Sequence, residues 1–227
     1  MSMAVGSRMA SLRAATRDVH ERTDAAMRRG DWLVSPVAYA TFLNRTLRFH
    51  RLVEAAVAPV VAEIEGLEYE HRRRSPLVEA DLAALAARGV LPDATDGPTR
   101  PPPPLLVDEP AAVLGCLYVI EGSTLGSKVL AQWIERRLGY DHAYGASSFA
   151  PYGTATQARW RSFGALVESL VAATPDDLRP MLAAAEATFA VHEAIVGTGA
   201  PVPPVVGAAD EGGHGRAPQA GVDAPRI

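Results

Sequence analysis

The chain has 227 residues, of which 48% are hydrophobic and 21% charged, and its formal net charge is −4. This composition describes a soluble globular protein and gives no electrostatic argument for a nucleic-acid or membrane partner. A single cysteine, Cys116, excludes an internal disulfide framework and any site with several cysteine ligands, which fits a reducing compartment. No segment has the run of about 18 apolar residues of a membrane span, and no signal-peptide pattern opens the sequence. We therefore expect a cytoplasmic protein.

Six segments place apolar residues at the 3.6-residue period of an amphipathic helix. The clearest predicted N-caps are Ser35, Ser75 and Thr174, each followed by Pro. Glycines mark several of the predicted ends, and no segment alternates as a β-strand would. The predicted helices cover about residues 8–28, 36–59, 75–87, 110–138, 156–171 and 174–196.

The connections between these helices contain the turn and loop residues. Six prolines fall within residues 91–104, which predicts a surface connector of polyproline character. A domain boundary there would leave two halves that are each marginal alone. Of the 30 residues after Gly197, 11 are Gly or Pro, which predicts disorder. We therefore expect an all-α protein, a single-domain helical bundle over residues 8–197 followed by a disordered tail, residues 198–227.

The longest predicted helix contains two glycines one turn apart, Gly122 and Gly126. Each interior glycine costs a helix about 1 kcal/mol relative to alanine. Both lie on one face, where they leave a groove of bare backbone. Either a neighbouring helix or a ligand presses on this face, and the spacing alone does not choose between them.

One histidine, His20, falls on the inward face predicted for the first helix, in the spacing of Thr16, Thr23 and Met27. A buried imidazole needs hydrogen bonds or a metal for its two nitrogens. Asp24, one turn away, could accept one ring proton. On spacing alone, His20 is either a hydrogen-bonded core histidine or a metal ligand.

The other histidines give weaker signals. Glu68-x-x-His71 has the spacing of a di-iron bundle, but the second copy that such a site needs is missing from the sequence. His50 and His192 are expected on helices as buried, hydrogen-bonded side chains. The two remaining histidines lie in a predicted loop and in the predicted tail: His142 and His214.

Other chemistries find no support in the sequence. It has no Gly-x-Ser-x-Gly nucleophile elbow, and no strand precedes a phosphate-binding glycine loop. A large flat ligand held by one axial histidine, with bare backbone against its other face, accounts for both His20 and the two glycines. Haem fits that description.

Three motifs resemble the haem oxygenase family. They are LRxATxxVH at residues 12–20, LYVIEGSTLG at 117–126, and TP at 174–175 followed by ATF at 187–189. The second is most similar to the bacterial branch, especially to enzymes encoded beside bacteriophytochromes. The motifs occur in the family's order and span residues 12 to about 195.

The resemblance implies a role for each residue of a haem site. His20 would be the proximal iron ligand, and Gly122 and Gly126 would let the distal backbone approach the haem plane and permit a kink. Arg13 and Arg161 would pair with haem propionates, since guanidinium groups suit carboxylates. Solvated surface arginines are the alternative for both. Phe189 would line the pocket, or else only pack in the core.

Ser123 departs from the family pattern. Animal-type haem oxygenases have an aspartate at this position, immediately after the first distal glycine, where it organises water for proton delivery. A hydroxyl can relay a hydrogen bond but carries no such charge. The resemblance therefore implies that Gly122, Ser123 and Gly126 support proton delivery through freed backbone carbonyls and ordered water.

By the same resemblance, the protein would cleave haem b, both substrate and cofactor, to biliverdin, CO and ferrous iron with O2 and external electrons. The sequence lacks a flavin or nicotinamide motif, so a ferredoxin or an NADPH-dependent reductase would supply the electrons. Six Arg against three acidic residues in residues 1–30 form a candidate docking surface for an acidic donor. A bacteriophytochrome would receive the biliverdin, expected as the alpha isomer.

Two alternatives remain open from the sequence. The first is a haem-binding sensor or carrier without turnover, because its ligand set would be identical. The second keeps the bundle without haem, as in thiaminase-like or quinone-cofactor oxidases. That class usually needs converging polar and acidic residues, whereas the predicted core is largely aliphatic.

Overall fold

The computed structural model describes residues 7–29, 31–97, 101–172 and 174–197. Within these ranges the regular structure consists of seven α-helices and five short 3₁₀ turns, without a strand. The helices are α1 Arg8–Ala15, α2 Arg17–Arg29, α3 Pro36–Val57, α4 Ser75–Ala86, α5 Pro110–Leu138, α6 Thr156–Leu170 and α7 Pro175–Ile195. The predicted all-α class is therefore confirmed, whereas the predicted tail lies outside the described residues.

Side-chain caps begin two of the helices as predicted. The Ser35 Oγ accepts a hydrogen bond from the Ala38 N–H at 3.1 Å, and the Thr174 Oγ1 accepts one from the Asp177 N–H at 3.3 Å. The predicted cap at Ser75 is wrong. Ser75 lies inside α4, and its hydroxyl donates to Glu54 Oε2 at 2.6 Å, because that half-buried carboxylate is a stronger acceptor.

The single helix predicted over residues 8–28 is two helices, separated at Thr16. The buried Thr16 hydroxyl donates to the Leu12 carbonyl at 2.8 Å, a local bond that competes with regular helix geometry. Glu168 of α6 holds the start of α1, since it accepts the Arg8 and Met9 N–H groups at 3.2 and 3.0 Å. These are among the N–H groups that a helix start leaves without a partner.

The core is built around α5, which packs most extensively on α7. Their closest approach is at Gly115, where an added Cβ would lie 2.1 Å from the Met181 carbonyl oxygen. Cys116 beside it is fully buried, and burial raises the pKa of its thiol to about 11. Only a glycine lets the two helices touch here.

By length and composition, α5 could cross a membrane. However, 56% of its most apolar window is buried inside the protein. That burial is typical of the central helix of a soluble protein.

Candidate functional site

His20 lies on a helix that buries none of its residues. α2 touches α7, and the His20 side chain is 56% exposed. Its Nδ1 lies 3.6 Å from Asp24 Oδ2, which is too long for a hydrogen bond. His20 is therefore not the buried core histidine that one of the two interpretations required, and its Nε2 lies on the ring edge away from Asp24.

Phe189 is the aromatic neighbour of His20. The two ring centroids are 6.1 Å apart with the planes at 77°, an edge-to-face arrangement. Phe189 is buried in α7, so it supports the imidazole from the core side. Arg22 and Glu193, paired at 3.2 Å, add an exposed link between α2 and α7.

The two glycines of the glycine segment, residues 122–126, make no close contact with a neighbouring helix. A Cβ added at Gly126 would meet nothing within 4 Å, and one added at Gly122 would make only an ordinary contact with the Trp160 ring, at 3.8 Å. Close helix packing uses Gly115 instead, a residue that the sequence reasoning did not single out. Nothing in the described part of the protein requires a glycine at position 126.

Apolar side chains are exposed beside the glycine segment. Leu125 is 40% and Val129 50% exposed. Ser123 and Gly126 are exposed on the same stretch of helix. This part of α5 thus offers bare backbone and apolar side chains together, a surface suited to a flat apolar ligand.

Three hydroxyls bond to the α5 backbone around the glycines. Ser123 Oγ donates to the Ile120 carbonyl at 2.8 Å, Thr124 Oγ1 to the Glu121 carbonyl at 2.6 Å, and Ser127 Oγ to the Ser123 carbonyl at 2.9 Å. α5 runs through the segment as one continuous helix. Its carbonyls are therefore satisfied here, and Ser123 can offer a water molecule only its oxygen lone pairs while this bond persists.

Arg13 and Arg161 are both exposed. Arg161 Nε lies 3.4 Å from the Gln157 carbonyl of its own helix, a long and weak hydrogen bond. Both guanidinium groups are thus accessible to an acidic ligand.

The packing of α1 on α6 places these two arginines at the same end of the helix pair. Met9 contacts Gly164, and Glu168, one turn further along α6, holds the start of α1. The two helices are therefore antiparallel. Continuing this register by one turn brings Arg13 level with Arg161, although no contact joins them to His20 directly.

The sequence reasoning missed a buried ionic group next to the glycine segment. We call it the Glu121 cluster, and its members are Glu121, Arg72, Arg74 and Tyr152. Both arginines lie within 3.1 Å of the Glu121 carboxylate. The available signal was Glu121 itself, a lone acid that follows the apolar stretch 111–120, because a buried carboxylate requires a partner.

Among the described residues, the other histidines belong to no group that could hold a metal ion. Glu68 and His71 lie at a short 3₁₀ turn, where Glu68 pairs with Arg159 at 2.6 Å. Across the described ranges no three His, Cys, Asp or Glu side chains group to hold a metal ion. Burial, with the charge of Arg74, lowers the pKa of His50 to about 3, and burial lowers that of His192 to about 4.

The chemical groups on these helices fit a large flat ligand with one metal-binding atom from the protein. One exposed imidazole stands on α2, bare backbone with apolar neighbours is exposed on α5, and two free-standing arginines lie on α1 and α6. These groups suit an iron atom, a flat macrocycle and its carboxylates respectively. The fold and these groups together indicate the class: a helical haem-binding protein.

Comparison with known proteins identifies the family. The family model described as "Heme oxygenase" matches residues 7–198. A heme oxygenase from Xanthomonas campestris pv. campestris (strain 8004) is 32% identical over 132 residues, which is 56% of this chain and 72% of that protein. The heme oxygenase of Neisseria meningitidis, solved with NO and CO bound, has a TM-score of 0.66 at 27% identity and covers 84% of this chain and 90% of that one.

A more distant structure agrees on the fold alone. Heme oxygenase 2 of Chlamydomonas reinhardtii, solved without heme, has a TM-score of 0.65 at 17% identity, covering 85% of this chain and 97% of that one. The chain belongs to the haem oxygenase family and is a haem-degrading enzyme.

Proposed function

We propose that this enzyme cleaves haem b to biliverdin, CO and ferrous iron, using O2 and electrons from a separate donor protein. Haem is the substrate and also supplies the redox-active iron and the meso carbon that is oxidised. The family membership supports this reaction. The products, the oxidant and the donor are our inference.

One observation carries the proposal: on the glycine face of α5, no contact within the described residues is close enough to require a glycine. Gly126 faces open space, whereas the close helix contact falls at Gly115. Of the two explanations for the paired glycines, a ligand is favoured over a neighbouring helix. His20, more than half exposed, supplies the ligand atom that such a site needs.

Each residue then has a stated task. His20 Nε2 binds the iron, because Nδ1 faces Asp24. Phe189 supports the imidazole ring, and Leu125 and Val129 exclude water from the distal side. Burial of apolar area against a macrocycle is the main source of affinity.

The two exposed arginines bind the propionates. Arg13 and Arg161 lie level with each other on antiparallel helices, so they can share one edge of the ligand. Their pairing sets how the haem sits in its plane and therefore which meso carbon is exposed to cleavage. We expect the alpha isomer.

Protons reach the distal side through water near Gly122, Ser123 and Gly126. The Ser123 hydroxyl already donates to the Ile120 carbonyl, so it orients a water by accepting a hydrogen bond from it. The glycines let such a water approach the backbone closely. Ser123 thereby holds a proton donor in place without the negative charge of an aspartate.

The partners follow from the chemistry. A ferredoxin or an NADPH-dependent reductase delivers electrons to the basic surface of residues 1–30, and a bacteriophytochrome receives the biliverdin in the cytoplasm. Placement in the bacteriophytochrome-associated branch is part of this proposal and rests on the motif at residues 117–126. Neither nucleic acid nor a membrane takes part.

The test is single-turnover conversion of haemin. With a reductant and O2, the haem absorption of the wild-type protein should give way to the biliverdin band, and His20→Ala should lose the axial-ligand spectrum and most of the conversion. His142→Ala, which changes an exposed loop histidine, is the matched control and should behave as wild type. A wild-type protein that binds haemin without forming biliverdin would instead be a sensor or carrier. Activity that survives His20→Ala without specific haemin binding would indicate a haem-free oxidase.

A further inference from the structure

The Glu121 cluster is a group of buried charges that the proposed chemistry does not use. Glu121 is fully buried, and Arg74 Nη2 donates to its Oε1 at 3.1 Å. The Tyr152 hydroxyl donates to the same oxygen at 2.6 Å. Arg72 Nη1 lies 3.1 Å from Oε2 without pointing an N–H at it, so this contact is an ion pair rather than a hydrogen bond.

Bulk solvent cannot compete for these groups. Arg72 and Arg74 are almost completely buried, and the cavity beside them measures about 10 Å³, room for about one water molecule. The Nε and Nη1 of Arg74 have no protein partner there, and a buried water is the usual partner for such atoms. Because screening is weak in this environment, the attraction between the charges is strong and loss of one partner is costly.

Glu121 lies on the back of α5 relative to the exposed face of the glycine segment. Residues of an α-helix are spaced by about 100°, so Ser123 lies about 200° and Gly126 about 140° around the axis from Glu121. The burial pattern agrees, since Glu121 is buried while Ser123 and Gly126 are exposed. A rotation of α5 that moved the glycine face would therefore pull Glu121 out of its cluster.

The partners of Glu121 come from outside the main helix pair. Arg72 and Arg74 belong to the segment that leads into α4, and Tyr152 belongs to the loop before α6. Arg72 is itself fixed, because its Nε donates to the Leu67 carbonyl at 2.6 Å. The cluster thus ties α5 to two further parts of the chain immediately before Gly122.

We infer that Glu121 is a positioning residue: with Arg72, Arg74 and Tyr152 it fixes the rotation of α5 and so the presentation of Gly122, Ser123 and Gly126 to the substrate. This role deepens the proposed function and rests on it for its catalytic consequence. The structural part of the inference is that these contacts hold the glycine segment in place, which we call the clamp. It depends only on contacts within the protein.

Tyr152→Phe tests the clamp with the smallest change. Truncation of Glu121 would leave two buried guanidinium groups uncompensated and endanger folding. Tyr152→Phe removes only the hydroxyl that bonds Glu121 and keeps the ring, which lies 4.5 Å beneath the Arg74 guanidinium. In haem-free protein, amide hydrogen exchange at residues 122–126 should become about tenfold faster, the factor expected when a hydrogen bond to a charged group is lost. Exchange at residues 112–117 should not change.

Tyr144→Phe is the matched control. Tyr144 is also half-buried, its hydroxyl donates to the Ala84 carbonyl at 2.8 Å, and the Arg88 guanidinium lies 3.8 Å above its ring. This variant should leave exchange at residues 122–126 at the wild-type rate. Equal acceleration in both variants, or none in Tyr152→Phe, would overturn the inference.

A second readout connects the clamp to catalysis. In the haem-loaded enzyme, Tyr152→Phe should lower kcat for biliverdin formation, leave KM unchanged and shift the stretching frequency of bound CO, whereas Tyr144→Phe should do none of these. An unchanged CO frequency together with an unchanged kcat would remove the catalytic part of the inference. If the wild-type protein forms no biliverdin, the proposed function fails, and the exchange comparison still decides whether Glu121 clamps the helix.

Discussion

At the scale of single residues, two glycines of α5 serve opposite purposes. A side chain at position 115 would strike the Met181 backbone, whereas one at position 126 would meet no protein atom within 4 Å. A helical glycine costs about 1 kcal/mol relative to alanine. At Gly115 the contact with α7 offsets that cost, whereas at Gly126 the described protein atoms offer no compensation; under the proposed function the bound ligand supplies it.

Gly126→Leu should therefore separate stability from ligand binding. We expect the free energy of unfolding of the haem-free protein to rise by up to about 1 kcal/mol, because leucine is the better helix former. Affinity for haemin should fall at least about tenfold, since a side chain that excludes apolar contact area costs more than about 1.4 kcal/mol. Thermal unfolding and haemin titration measure the two effects.

The control for this variant is Gly115→Ala. Overpacking against the Met181 carbonyl should destabilise the protein by about 1–3 kcal/mol. Its folded fraction should nevertheless bind haemin with wild-type affinity. Tight haemin binding by Gly126→Leu would contradict the assignment of a ligand to the glycine face.

Individual side chains were predictable where a helix face decides their environment. The period of α5 placed Gly122 and Gly126 on one helix face, as the structure has them. The inward face predicted for His20 is wrong, because the first predicted helix breaks at Thr16 and His20 is more than half exposed. Arg72 and Arg74 were missed because a Glu-His-Arg-Arg-Arg run is ordinarily a solvated surface. Only the fold, which brings Glu121 against them, makes their burial favourable.

At the scale of the elements, α2 and α5 differ in how the protein holds them. Twelve residues of α5 are buried and none of α2. Packing of an apolar face, rather than intrinsic propensity, supplies most helix stability in proteins. α2 is therefore the helix with least support from the core.

Amide exchange of haem-free protein should show this difference. We expect the amides of α2 to exchange faster than those of the first half of α5, because few buried contacts oppose local opening. Haemin should slow exchange in α2, since a ligand that binds only the folded helix stabilises it. His20→Ala should abolish the haemin effect, and equal protection of α2 and α5 without haemin would contradict the expectation.

Helix boundaries followed from local signals except where a distant group intervened. Ser35 and Thr174 cap helices as their Ser-Pro and Thr-Pro patterns predicted. Ser75 has the same pattern, but Glu54 of α3 takes its hydroxyl. Thr16 interrupts the first predicted helix, and its pattern gave no warning because threonine is tolerated on a helix face.

At the scale of the whole molecule, two half-buried histidines couple folding to pH. The rings of His50 and His192 both pack against Phe49, with centroids 5.2 and 5.0 Å from its ring centroid. Burial holds the pKa of His50 near 3 and that of His192 near 4, against about 6.5 in an unfolded chain. Below pH 6.5 the two histidines are therefore protonated in the unfolded state but remain neutral in the folded state.

The free energy of unfolding should fall as the pH is lowered from about 6.5 towards 4, by up to about 1.4 kcal/mol per pH unit for each histidine. Above pH 6.5 these residues should contribute no slope. Urea unfolding at pH 7.5, 6 and 5 measures this. Hydrogen bonds hold the pKa values of Glu54 and Glu168 below their ordinary range despite the opposing effect of burial. The stability that these carboxylates contribute is therefore lost at lower pH, when they become protonated.

His50→Gln should reduce the dependence of the free energy of unfolding on pH below 6.5 by the contribution of one histidine. His142→Gln, at an exposed position, should leave that dependence unchanged. A wild-type protein whose stability stays constant from pH 7.5 to 5 would contradict the lowered pKa values of His50 and His192 in the folded protein.

The contact between Gly115 and Met181 fixes α5 against α7 on one side of the proposed haem site. Backbone touches backbone there, so α5 and α7 cannot slide past each other without separating. α2 is held less firmly. It is attached to α7 through the His20–Phe189 contact and the exposed Arg22–Glu193 pair. Under the proposed function, we expect haem to enter and leave by displacing α2, and His20, the proposed iron ligand, would move with that helix. Release of the product and weakening of the bond to iron would then be one movement of one helix.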